Sequence, residues 1–489
     1  MLSLNLEDFR IALRDLSGIL RIVSFVMLLP IPVALYFAEF LDLPYLLKKI
    51  SVFLIPSAIL YILYFILEKK FRSELKTRTK HAMLTVALAW LIVTILGSLP
   101  YILSNTLNPL DSFFESMSGW TTTGMTMLRS IENTEKEILF YRGLTQWVGG
   151  VGIIVLALVV FMRKGTVAIQ YYASEVGGLK LKPSIKSTVI ETWKIYGIYT
   201  LACIILLYLA GMTPFDSILH SFSTLSTGGF TTHSNSIGYY DSPLIELILM
   251  VFMLIGAIGF LIHFKLFNGQ YTALIENIEF RYMLKIILIS IILISMAIWS
   301  NFHYSLFNAV RIGSFQAVSG MTCTGFSTVD LSKWHDLPIT VLILLMYVGG
   351  LYGSTAGGIK LLRFIIILRV IVYNLKRLIL PKSAVFRIKL DEKVVGDEQI
   401  LYALGLSSAY IVVAVIGAII MMLAGYSWIV SLFLTLSAMG NVGLINIAGN
   451  SWFMMPSIGK LTLIFLMWIG RLEVFPVLIL FSSIRLKRR

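Results

Sequence analysis

Charge is what this chain has least of. Only 13% of its 489 residues are charged, whereas 57% are hydrophobic. A soluble domain of that length could not cover its surface with so few charges, which excludes a soluble enzyme. The net charge of +14 would suit nucleic acid only on a soluble basic domain, and no such stretch exists. Cysteine is almost missing too. Cys203 and Cys323 both fall in apolar segments, so neither a disulfide framework nor a zinc site is indicated. The six histidines are scattered, and no HExxH, Walker loop, GxGxxG or nucleophile–base pattern occurs on a loop. The chain therefore offers no catalytic constellation, no cofactor site and no nucleotide-binding domain of its own. A cleavable signal peptide is not expected, since the first apolar run is full length and lacks a small-residue cleavage motif.

Long apolar runs are abundant. A helix needs roughly 20 apolar residues to cross a bilayer, and ten stretches qualify: 18–40, 46–67, 83–103, 138–162, 189–211, 243–267, 282–302, 337–373, 400–424 and 461–484. Lysine and arginine stay preferentially on the cytoplasmic side. With the N-terminus inside, the inner segments carry 24 of them and the outer segments 6. Both termini are then cytoplasmic, in a multi-pass protein of the cell membrane. Segment 374–398, rich in basic residues, reads as an inner surface near acidic lipid heads or a partner protein.

One stretch recurs four times. Residues 315–327 read FQAVSGMTCTGFS, 114–126 FESMSGWTTTGMT, 219–231 LHSFSTLSTGGFT and 433–445 FLTLSAMGNVGLI. All keep a serine at the fifth position (Ser118, Ser223, Ser319 and Ser437). All keep a glycine six residues later: Gly124, Gly229, Gly325 and Gly443, spaced 105, 96 and 118 residues apart. Four parallel copies of one unit follow. The boundaries read as 1–80 for an accessory hairpin and its linker, then 81–165, 166–270, 271–390 and 391–489 for units 1 to 4.

Within each unit a short run precedes the motif: 109–120, 214–225, 304–321 and 428–439. None is long enough to span, so each fits a half-helix that enters from outside and stops. Pro109 and Pro214 suit a first helical turn, and Asp111 and Asp216 favour the positive helix end. Each half-helix then aims its negative C-terminus at mid-membrane. Non-helical backbone at that depth must be buried in protein or line a watery cavity. Four such segments converging on an axis could face carbonyls inward, replacing the water shell of a cation. The glycine frees the backbone for this, and Thr122, Thr123, Thr227 and Thr324 can add hydroxyl oxygens. The competing reading is close helix packing by small residues. The expected fold is all-α and integral to the membrane. Four span–pore loop–span repeats surround a pseudo-fourfold pore, with two N-terminal accessory helices.

These motifs, with GGVGIIVLAL at 149–158, ASEVGGLKLKPSIKSTVIETWKIY at 173–196, GGLYGSTAGGIK at 349–360 and GRLEVFPVLIL at 470–480, resemble the Trk/Ktr/HKT superfamily of K+ and Na+ transporters. The two extra N-terminal spans are similar to its TrkH-type subunits, and the likeness covers almost the whole chain. The resemblance implies K+ passing down its gradient through a filter made of Thr122, Thr123, Gly124, Thr227, Gly228, Gly229, Cys323, Thr324, Gly325, Asn441, Val442 and Gly443. It also implies a homodimer and a cytosolic nucleotide-binding ring of TrkA type. Cys323 and the Asn441–Val442 pair depart from a uniform threonine pattern, which leaves the ranking of K+ over Na+ open.

The second span of unit 3 is too long and contains Gly349, Gly350, Gly353, Gly357 and Gly358. Each glycine costs up to ~1 kcal/mol in a helix, so an irregular segment is expected below the third filter loop, as a mobile gate or as a fixed hinge. Resemblance to TrkH-type proteins favours the gate. Arg471 falls near mid-bilayer, where it either fastens the fourth unit or projects into the path and slows cations. Glu115 and Arg142 read as a structural pair or as groups tuning the mouth, and Glu246 and His263 as contacts at a span's ends. The reading is a K+-conducting membrane subunit, with a Na+/K+-permeable transporter of the same family as alternative. The rival from another class, a lipid-modifying membrane enzyme, would need acidic or histidine residues clustered at one depth, and a coupled carrier would show inverted repeats.

Overall fold

The computed structural model describes residues 6–38, 43–71, 77–161, 185–302, 304–379, 381, 387–390 and 393–482. Side chains within 153–188 are outside this description, as are residues 173–184 of the 173–196 motif quoted above. The regular elements of the described chain are helices apart from a two-residue ribbon pairing Lys389–Leu390 with Lys393–Val394.

Six described helices are long and apolar enough to cross a membrane: Leu6–Tyr36, Leu43–Lys70, Lys80–Leu103, Val189–Leu209, Ile278–Asn301 and Asp397–Leu423. The first begins at Leu6 rather than near residue 18. Its polar start is taken up by the protein: Asp8 meets His81 at 2.7 Å and Lys80 at 2.8 Å. Arg14 and Asp15 both bond the Thr77 hydroxyl. These contacts, with Leu16, Leu20, Phe53 and Tyr141 packed between them, fasten the N-terminal hairpin to the first unit.

The short runs are helices, at Pro109–Trp120, Pro214–Leu225, Leu306–Met321 and Trp428–Met439. Three begin on a side-chain cap. Asn108, Thr213 and Ser305 accept from the amides of Asp111, Asp216 and Asn308, satisfying one of the donors left free at a helix start. The units are laced together at the end where the half-helices begin. Lys460 pairs with Asp111, Glu132 takes the Ser234 amide at 2.7 Å, and Arg311 meets Glu246 at 2.8 Å. Glu246 thus bonds a neighbouring unit. His263 reaches Tyr199 at 3.1 Å and the Ile255 carbonyl at 2.9 Å.

Three of the second spans are broken, where the sequence suggested a break in one. Helices Pro243–Ala257 and Phe260–Phe267 meet at 103°, and Ser457–Arg471 and Phe475–Phe481 at 115°. The third break runs from the end of Asp336–Val348 to the start of Leu361–Ile379. Only Lys136–Phe161 runs on unbroken. The fourth-unit break was invisible because its left-handed residues are Glu473 (φ 57°) and Val474 (φ 64°), neither of them a glycine.

Glycines set the closeness of half-helix to second span. A Cβ on Gly149 would strike the Trp120 carbonyl, on Gly256 that of Leu225, and on Gly470 that of Met439. The three carbonyls occupy equivalent places, four residues before the motif glycine.

Candidate functional site: a ring of peptide carbonyls

The four turns that follow the half-helices are built alike. The chain leaves each helix through a residue of positive φ: Thr122 (55°), Thr227 (52°), Cys323 (56°) and Asn441 (51°). The next amide then bonds the carbonyl of the repeated serine. Thr123 reaches Ser118 at 2.8 Å, Gly228 reaches Ser223 at 2.7 Å, Thr324 reaches Ser319 at 3.0 Å and Val442 reaches Ser437 at 2.8 Å. This closure normally favours glycine at the left-handed position. A side chain there costs roughly 1–2 kcal/mol, and here all four units carry one. In units 3 and 4 the serine hydroxyl also holds the outgoing strand, Ser319 to Phe326 O and Ser437 to Leu444 O, both at 2.7 Å.

Two residues beyond, Gly124, Gly229, Gly325 and Gly443 have φ of 90°, 79°, 79° and 92°. A Cβ on Gly124 would meet the carbonyl oxygen of Gly228, and one on Gly229 that of Thr324. A Cβ on Gly325 would meet that of Val442, and one on Gly443 that of Thr123. Each loop abuts the next, and the fourth abuts the first. The ring closes. Four equivalent peptide oxygens therefore stand about one centre, at the negative ends of four half-helices.

The expected residues 122–124, 227–229, 323–325 and 441–443 all lie in this ring. The two departures have physical accounts. Asn441 is among the residue types that tolerate positive φ best, and its Nδ2 donates to Thr123 Oγ1 and Met467 O, both at 3.0 Å. It ties the fourth turn to the first. Cys323 is fully buried and keeps its turn closed through Thr324. Thr122 Oγ1 and Asn441 Oδ1 are buried acceptors without a protein partner.

Behind the first turn, Glu115 and Arg142 form a buried pair at 2.8 Å. Glu115 also accepts from Thr126 Oγ1 at 2.9 Å and the Met127 amide at 2.8 Å, so it braces the strand leaving Gly124. Arg142 donates to Thr231 O and lies 4.1 Å over the Phe230 ring. The pair is structural. Arg142→Leu strands a buried carboxylate, which typically costs about 3–5 kcal/mol. The expected result is a clear drop in melting temperature, read by tryptophan fluorescence in detergent. An unchanged melting curve would show that Glu115 finds another partner.

Residues 349–360 form an irregular loop against the inner side of the ring. Gly349, Gly353 and Gly358 take φ of 73°, 72° and 75°. Gly350 and Gly357 lack room for a Cβ, the first beside Ala356 and the second against the Gly440 carbonyl. The Thr355 hydroxyl has its one proton shared between Leu225 O at 3.0 Å and Gly256 O at 2.9 Å, and accepts from Thr227 Oγ1 at 3.2 Å. Glu279 takes the Tyr352 amide at 2.8 Å.

Arg471 reaches this loop from unit 4. It donates to Thr355 O at 2.9 Å and, with its other terminal nitrogen, to Gly149 O at 2.8 Å and Gly150 O at 3.1 Å. The fastening expected of it was to half-helix carbonyls or to a carboxylate on a neighbouring helix. It bridges three units instead. Glu473, two residues on, pairs with Arg363 at 2.6 Å.

Sequence reasoning missed Gln146, Glu279 and Thr355 as partners of these loops. Gln146 sits in an ordinary apolar helix and carries no motif. Thr355 stood among the glycines, but its three partners come from another unit.

A polytopic helical protein whose half-helices end in a ring of backbone oxygens defines a class: a membrane transport protein. The family model for TrkH, described as a cation transport protein, matches residues 49–487. An uncharacterized cation transporter of Methanocaldococcus jannaschii is 36% identical over 99% of this chain and 98% of its own. The Trk system potassium uptake protein TrkH of Halomonas elongata is 34% identical over 97% and 98%. The crystal structure of the potassium transporter TrkH from Vibrio parahaemolyticus superposes with a TM-score of 0.85. It is 32% identical and covers 98% of this chain and 100% of that one. The chain belongs to the TrkH family of cation transport proteins.

Proposed function

We propose that this protein is the conducting subunit of a potassium-uptake system, with K+ passing through the carbonyl ring as a selectivity filter. The observation that carries this reading is the closed cycle of four glycine turns, each packed on its neighbour's carbonyl. A ring of peptide oxygens fed by four helix C-termini replaces water around a cation without any charged ligand. The names of the relatives from Halomonas elongata and Vibrio parahaemolyticus support K+ as the cargo.

Loop 349–360 acts as the gate beneath this filter, with Arg471 as its fastening. The protein lies in the cell membrane with both termini cytoplasmic, as the lysine and arginine bias suggests. It forms a homodimer and works with a cytosolic nucleotide-binding ring of TrkA type, as the resemblance to the Trk/Ktr/HKT superfamily implies.

The test is flux through the purified protein in liposomes, with K+, Rb+ and Na+ compared at equal gradients. K+ and Rb+ should pass well ahead of Na+. Equal rates for K+ and Na+ would overturn the assignment of K+ selectivity and favour the Na+/K+-permeable alternative.

A further inference from the structure

The second turn of the ring differs from the other three. The residue before the glycine is Thr123, Thr324 or Val442 in units 1, 3 and 4, but Gly228 in unit 2. In units 1 and 3 the side chain at this place is a brace. Thr123 Oγ1 meets Thr121 Oγ1, and Thr324 Oγ1 meets Thr322 Oγ1, each at 2.8 Å. Gly228 has nothing to brace with.

Gln146 supplies what is missing. It comes from helix Lys136–Phe161 of the first unit and is fully buried. Its Nε2 donates to the Gly228 carbonyl, and its Oε1 accepts from the Phe230 amide at 3.1 Å. One side chain thus grips the peptides on both sides of Gly229. It also fills the space a side chain would take. A Cβ on Gly228 would fall 2.5 Å from Gln146 Cδ, 2.6 Å from Oε1 and 2.9 Å from Nε2. A carbonyl oxygen has two lone pairs, so the Gly228 oxygen can accept from Gln146 and still face an ion. The corresponding places in units 2 and 4, three residues before Gly256 and Gly470, hold Met253 and Met467, which cannot make this grip.

We propose that Gln146 is a positioning residue for ion discrimination: from the first unit, it sets the second glycine turn of the filter in place of the side chain that Gly228 lacks. This rests on the reading of the ring as the filter. If one hydrogen bond's worth of restraint is lost, Gln146→Leu should lower the K+/Na+ flux ratio roughly five- to tenfold at matched protein amount. Gln146→Met, which copies units 2 and 4, should do the same and guards against a variant that fails to fold. Gly228→Thr alone should also lower the ratio, because Gln146 occupies the site. The double variant Gln146→Ala/Gly228→Thr vacates that space and restores the brace, so it should recover much of the wild-type ratio. Because vacating the space also relieves the clash, the restored brace is read against Gln146→Ala alone, which the double variant should exceed in ratio.

A wild-type ratio in both single Gln146 variants would overturn the proposal. So would a double variant with a ratio no higher than that of Gln146→Ala alone. The outcome is separable from the filter reading itself. If serine at Gly124 or Gly443 destroys discrimination while Gln146 variants keep it, only the role of Gln146 falls. If the glycine variants keep it as well, the filter reading falls with it.

Discussion

Serine in place of Gly124, Gly229, Gly325 or Gly443 is expected to remove the preference for K+ over Na+ while leaving the protein in the membrane. Two effects add. Each glycine has φ between 79° and 92°, a region in which a residue with a Cβ is strained by about 1–3 kcal/mol. The added carbon also points at a backbone carbonyl of the neighbouring loop, which cannot swing aside as a flexible side chain would. Either the loop retreats or the carbonyl turns away, and the four oxygens no longer match one ion. Since 1.4 kcal/mol is about a factor of ten, the strain alone can erase a preference of one to two orders of magnitude. The measurement is the K+/Na+ flux ratio of each variant in liposomes. Four variants with the wild-type ratio would mean that selection happens elsewhere in the chain.

The ring was legible from sequence because its elements are local. Proline at 109 and 214, the repeated serine and the glycine all act within one turn of chain. The limits of the half-helices in units 1, 2 and 4 match the expected ones to the residue, and that of unit 3 begins two residues later, at Leu306. What joins the ring was not legible. Gln146 and Gly228 are 82 residues apart, Asn441 and Thr123 318 apart, and each pair is ordinary until the units close on one another. The breaks at 258–259 and 472–474 hid for a different reason. Hydropathy counts apolar residues and is blind to direction, so a span bent by 103° or 115° scores like a straight one. Arg471 was singled out by its depth, but depth does not name a partner.

Removing Arg471 is expected to raise cation flux strongly without changing which cation passes. Its guanidinium bonds the Thr355 carbonyl of the loop and the Gly149 and Gly150 carbonyls of the first unit, so it pins the loop across the inner side of the ring. Hydrogen bonds to a charged group are worth roughly 1.5–3 kcal/mol each. Losing even the Thr355 bond should shift a closed–open balance by about tenfold or more towards open. The groups left behind are neutral carbonyls and no charge is left unpaired, so Arg471→Ala should keep normal yield and melting. Its K+/Na+ ratio should also stay at the wild-type value, because no ring carbonyl is touched. Lysine separates two causes. If the residue acts only as a positive charge that repels ions, Arg471→Lys should remain slow. If it acts as a latch, Arg471→Lys should be fast, because an ammonium lacks the planar fork that reaches both sides. The contacts favour the latch. Deleting residues 349–357 should reproduce the alanine phenotype, fast and still selective. A well-expressed Arg471→Ala no faster than wild type would sink the latch and the charge barrier together, and a deletion that altered selectivity but not flux would place the loop in the filter instead of beneath it.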